Sequence, residues 1–195
     1  MTEAFRAFIA IDLPESIKSF LSEAQEALKL YGFRVKWVRP QSIHLTLKFL
    51  GDIATADTDK IAKAMTLAAR GCPIVSLTAK GIGVFPNVRR PRVIWAGLNG
   101  QLETLVNLQQ TLDAHLSVLG FARDTRAFKS HLTLGRVKGK IVPDRLKAAI
   151  DKLKEFESES FETNRIILFK SELRSTGAVY TEVRKIAFQG QSKNG

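Results

Sequence analysis

The chain has 195 residues, 45% of them hydrophobic, enough to bury a substantial core and to exclude a disordered or fibrous protein. Its 30 Lys and Arg against 19 Asp and Glu give a formal net charge of +11, a surface that favours a polyanionic partner. The single cysteine, Cys72, excludes an internal disulfide and a zinc knuckle, and the first apolar stretch stops at Asp12 and Pro14, far short of a membrane span. A cytoplasmic monomer that does not enter a membrane is the expectation.

In chain order, residues 4–12 are apolar on both faces and predict a buried strand. Pro14 then opens a helix with Ile17, Phe20, Leu21, Ala24 and Leu28 on one stripe, stopped by Gly32. Residues 43–50 predict a second strand and residues 57–70 a helix with Ile61, Met65 and Ala68 inward, stopped by Gly71 and Pro73. A strand over 74–85 leads to a turn rich in proline and arginine over 86–91. The order then repeats: a strand over 93–98, a helix carrying Leu102, Leu105, Val106, Leu112 and Leu116, a strand over 129–137, and a helix from Pro143 with Leu146, Ala149, Ile150 and Leu153 on one face. Strands over 166–173 and 179–188 close the chain.

This pattern predicts an α+β fold from an internal duplication, with repeats over about 4–85 and 93–188 forming one bilobal domain of residues 1–195. Each pseudo-symmetric lobe would be an antiparallel sheet backed by helices, the open sheet faces flanking a central cleft. Edge strands can cross between lobes, so the midpoint need not be a boundary.

His-Leu-Thr-Leu occurs twice, at 44–47 and 131–134, 87 positions apart (131 − 44). Alternation along a strand puts His44 and Thr46 on one face and their leucines on the other, and His131 and Thr133 behave alike. Two lobes facing each other would bring two imidazoles and two hydroxyls to one cleft. In-line displacement at phosphorus needs a proton acceptor and a proton donor on opposite sides, and histidine suits both roles near neutral pH. The threonine hydroxyls can donate to the non-bridging oxygens. One such tetrapeptide is a weak signal; two at matching positions of a repeat are a strong one. The third histidine, His115, lies in a helix with no motif around it and reads as structural. Basic residues cluster between Arg123 and Lys140, around His131, and at Arg89, Arg90 and Arg92 in the turn.

These motifs resemble the 2H phosphoesterase superfamily, and more narrowly the RNA 2',3'-cyclic phosphodiesterases also called 2'-5' RNA ligases. The likeness also rests on the opening strand at 6–10, on His44 to Gly51 (HLTLKFLG), on His131 to Arg136 (HLTLGR), and on Ser171, Glu172, Leu173, Gly177 and Tyr180. Gly135 stands where many relatives carry alanine. The resemblance implies hydrolysis of RNA 2',3'-cyclic phosphate ends to 2'-phosphates, with no metal or cofactor, His44 as proton donor and His131 as proton acceptor. The spacing alone leaves that division of roles open. Some members also join RNA ends reversibly through a 2'-5' linkage.

Further candidates are Arg136 as a phosphate contact, and Phe49, Arg126, Lys129 and Tyr180 as RNA contacts. Arg136 is five residues from His131, which in a regular strand points it to the opposite face. Two other readings compete: a non-catalytic module that binds RNA ends, and a zinc site, for which two histidines without a carboxylate are too few.

Overall fold

The computed structural model describes residues 3–174 and 177–190. Its elements are β1 (Ala4–Asp12), α1 (Glu15–Lys29), β2 (Val35–Trp37), β3 (His44–Ala54), α2 (Thr58–Ala69), β4 (Val75–Phe85), β5 (Val93–Gly100), α3 (Leu102–Val118), β6 (His131–Val137), α4 (Pro143–Lys152), β7 (Phe161–Thr163), β8 (Arg165–Arg174) and β9 (Gly177–Ala187). Two three-residue strands, β2 and β7, escape sequence reading because no alternation can declare itself over so short a run.

All registered pairs are antiparallel and run in the order β7-β4-β5-β6-β3-β1-β8-β9, with β2 added beside β6. The two expected sheets are thus halves of one path, joined between β3 and β6 at the pair Leu45 and Leu132. One half is β3-β1-β8-β9 and the other β7-β4-β5-β6. Strands cross over between halves: β4 pairs with β5, and the last hairpin, β8 and β9, pairs with β1.

The helices cover one apolar side of the sheet. Ile17, Leu21, Ala24 and Leu28 of α1 meet Leu45, Leu47, Leu132 and Leu134 in one core, each side chain almost fully buried. At about 1.5–3 kcal/mol for each fully buried leucine, these four motif residues contribute substantially to holding the two motif strands against the helices. The expectation of a bare opposite face needs a correction. Phe8, Ala10, Ile167 and Phe169 form a second, smaller core there, with Tyr180 packed on it.

Both motif strands carry a bulge at their second leucine. Ile9 pairs with Lys48 and Ala10 with Thr46, leaving Leu47 extra; Ile94 pairs with Gly135 and Trp95 with Thr133, leaving Leu134 extra. An extra residue inverts the alternation beyond it. Hence Lys48 turns into the core while Phe49 turns out, and Gly135 is buried while Arg136 is exposed. The buried Gln25 of α1 secures the second bulge, its side-chain amide donating to the carbonyls of Leu134 and Val38, each at 2.8 Å.

Candidate active site

His44 and His131 each begin a strand, and each ring is fixed by the carbonyl two residues before it. His44 Nδ1 lies 2.9 Å from Ser42 O, and His131 Nδ1 lies 2.6 Å from Lys129 O. A carbonyl only accepts, so Nδ1 carries the hydrogen in both rings and a neutral ring leaves Nε2 as its free acceptor. The antiparallel crossing at Leu45 and Leu132 puts His44 on the Thr133 side and Thr46 on the His131 side. The imidazoles are therefore diagonal across the junction, where residues stand about 7–8 Å apart with their β-carbons somewhat closer, a gap that a tetrahedral phosphate can bridge.

The two rings have different surroundings. His44 stacks on Phe8 at 4.7 Å between centroids and meets the edge of Tyr180 at 5.2 Å. Burial among these rings lowers its pKa to about 4; the Ser42 carbonyl and Asp12 pull upward, and Lys18 adds to the lowering. His131 meets Phe85 edge-on at 5.0 Å and lies 6.4 Å from Trp95. Burial raises the Tyr180 hydroxyl above its ordinary value, against the pull of Arg136 and Arg39.

A cleft of ≈410 Å3 is lined by His44, Thr46, Thr133, Arg136, Phe49 and Tyr180, among others. Six of the expected site residues thus share one cavity. His131 is outside its lining, two residues before Thr133 on β6, and Arg126 and Lys129 are exposed on the loop before it. Arg136 reaches the cleft despite its odd spacing because of the bulge at Leu134, which sequence spacing does not reveal. Phe49 reaches it through the equivalent bulge at Leu47. Sequence reading also missed Phe8, whose buried position in an apolar strand disguises its contact with His44. His115 is on α3, away from the cleft lining. A β-carbon on Gly135 would stand 2.5 Å from Val35 Cγ1 and 3.0 Å from Trp37 Cε3, so an alanine at this position would require β2 to shift.

Among the described residues, no group of three or more His, Cys, Asp or Glu is placed to hold a metal ion, and no helix is long and apolar enough to cross a membrane. The lone Cys72 is buried, and burial pushes its thiol up to about 11, far from a reactive thiolate.

The family model "LigT like Phosphoesterase" matches residues 11–95 and again 97–180. The chain belongs to the LigT-like phosphoesterases. Within the family it is similar to the RNA 2',3'-cyclic phosphodiesterase of Methanothermobacter thermautotrophicus, 38% identical over 91% of this chain and 96% of the relative. A relative of the same name from Thermotoga maritima is 35% identical over 95% of this chain and 96% of its own. Among solved structures, a protein of Thermus thermophilus superposes with a TM-score of 0.78 at 27% identity, covering 95% of this chain and 98% of that one. Escherichia coli LigT complexed with 3'-AMP shares the fold, with a TM-score of 0.74 at 23% identity over 95% of this chain and 99% of that one. This LigT-like chain is accordingly a phosphoesterase of the 2H type that its paired motifs suggested.

Proposed function

We propose that the protein opens 2',3'-cyclic phosphates at RNA ends, leaving 2'-phosphates, with His44 and His131 as general acid and base. The observation that carries this reading is the crossing of the two His-x-Thr motifs at Leu45 and Leu132, each imidazole held by a carbonyl on Nδ1. Water attacking phosphorus loses its proton to Nε2 of neutral His131 while protonated His44 gives one to the departing 3' oxygen. Thr46, Thr133 and Arg136 bind the non-bridging oxygens, where negative charge grows. With the 5'-hydroxyl of a second RNA attacking phosphorus in place of water, and the 3' oxygen again leaving, the same groups form a 2'-5' linkage, and the reverse of that step regenerates the cyclic phosphate.

His44 is neutral in the free protein at pH 7, so the substrate must help it acquire its proton. Raising an imidazole from about 4 to near neutrality takes about 4 kcal/mol. One negative charge about 4 Å away supplies roughly that amount at an effective dielectric constant of about 20. The anionic phosphate thus charges its own acid, and the ring stays neutral without it.

We also propose that the chain arose by duplication of one unit of strands and helices, the repeats running over about 4–85 and 93–188. The two separate matches of one family model and the bulges 87 positions apart (134 − 47) support it.

The test is product mapping on a short oligonucleotide ending in a 2',3'-cyclic phosphate, with chelator present. A 2'-phosphate end is expected, and a His44→Ala, His131→Ala double variant should lose at least about 10³ in rate, the scale of general acid-base catalysis. A 3'-phosphate product, or turnover intact in the double variant, would refute the assignment.

A further inference from the structure

The cleft holds more positive charge than a cyclic phosphate can use. Arg6, Lys36, Arg39, Arg136 and Lys138 all line it, and no Asp or Glu does. None of the five forms an ion pair with a described acidic residue, although twelve such pairs occur elsewhere. A 2',3'-cyclic phosphate carries a single negative charge.

Their arrangement costs stability. Lys36 of β2 and Arg136 of β6 are directly opposed in the antiparallel register, so their exposed side chains share a face. Like charges so placed are destabilising unless an anion lies between or beside them. Lys138 continues the row two residues beyond Arg136, on the same face, its N–H donating to Arg34 O at 2.8 Å. Arg39 stands across from them, its Nη2 donating to Ala178 O of β9 at 2.7 Å. That bond anchors the guanidinium at the cleft while leaving its other N–H groups free to donate. The row runs from the motif residues toward β2; the arginines at 89, 90 and 92 are outside the cleft lining.

We infer that Lys36, Arg39 and Lys138 form a second phosphate subsite, one that holds the next phosphodiester of the RNA chain and so lowers KM for a strand relative to a 2',3'-cyclic mononucleotide. This rests on the reaction proposed above and adds the path by which the rest of the strand leaves the site. Each phosphate held by such a cluster steepens the salt dependence of single-strand binding by roughly 0.7 in log–log slope.

The experiment compares KM for 2',3'-cyclic AMP and for a trinucleotide ending in a 2',3'-cyclic phosphate, over a range of salt. The wild-type protein, a Lys36→Ala, Lys138→Ala variant and an Arg89→Ala, Arg90→Ala variant are assayed side by side. All four residues are exposed, so both variants should fold. The trinucleotide should have a KM at least tenfold lower and a steeper salt slope in the wild type. The Lys36/Lys138 variant should lose most of that advantage, and the Arg89/Arg90 variant should keep it. Equal KM values in the wild type, or a Lys36/Lys138 variant that weakens both substrates alike, would overturn the subsite. If neither substrate is opened, the proposed reaction fails instead. The subsite is then decided by titrating a 2'-phosphorylated trinucleotide, which must bind the Lys36/Lys138 variant at least tenfold more weakly than the wild type.

Discussion

Burial makes His44, the proposed proton donor, a pH-sensitive element of stability as well. Its folded value of about 4 lies below the ordinary histidine value near 6.5, so the unfolded chain takes up the proton first as pH falls. The stability it contributes is complete above about pH 6.5 and is lost on the way down to about 4. At pH 4.5 the loss amounts to about 2–3 kcal/mol. A His44→Phe variant keeps an aromatic ring against Phe8 and removes the proton. Urea unfolding at pH 7 and 4.5 should show the wild type losing about 2–3 kcal/mol more than the variant; equal losses would show that His44 does not titrate in this way. The motif residues themselves were legible because their chemistry recurs in a pattern of two. Phe8 and Tyr180, which set the surroundings of His44, were not equally legible, since an aromatic in an apolar strand looks the same whether it packs on a leucine or an imidazole.

At the level of elements, the bulges at Leu47 and Leu134 decide what the motif strands present. Long strands and amphipathic helices could be read from period and stop signals, and nearly all formed within a few residues of the expected limits. A bulge has no such signature, because its cause is a ladder partner far away in sequence. It is the bulge that turns Lys48 inward, where its ammonium meets Asp113 at 2.5 Å, Asp124 at 3.2 Å and the Ala122 carbonyl at 2.7 Å. These bonds tie β3 to α3 and to the loop before His131. Replacing Lys48 by Met would leave the largely buried Asp113 without its cation. A loss of about 3–5 kcal/mol is expected by chemical denaturation, with much of it recovered in Lys48→Met, Asp113→Leu. A loss below about 1 kcal/mol, typical of an exposed pair, would contradict this role.

For the whole molecule, the repeated order of elements foretold two lobes and a cleft, but it did not foretell that they join as one sheet. Their junction is the crossing of the two motifs, so the seam of the fold and the candidate reaction centre coincide. The basic composition announces the charge that collects in the cleft, while the side on which it collects depends on β2, a strand too short to see in sequence. All of this depends on two imidazoles meeting one phosphate across that seam. The most direct measurement is a ¹⁵N–¹H NMR titration of the histidine side chains with adenosine 2'-phosphate. The Nε2 signals of His44 and His131 should move together along one 1:1 isotherm, with His44 gaining its proton, while His115 stays still. If only one of the pair responds, or the two saturate at different nucleotide concentrations, they do not share a phosphate.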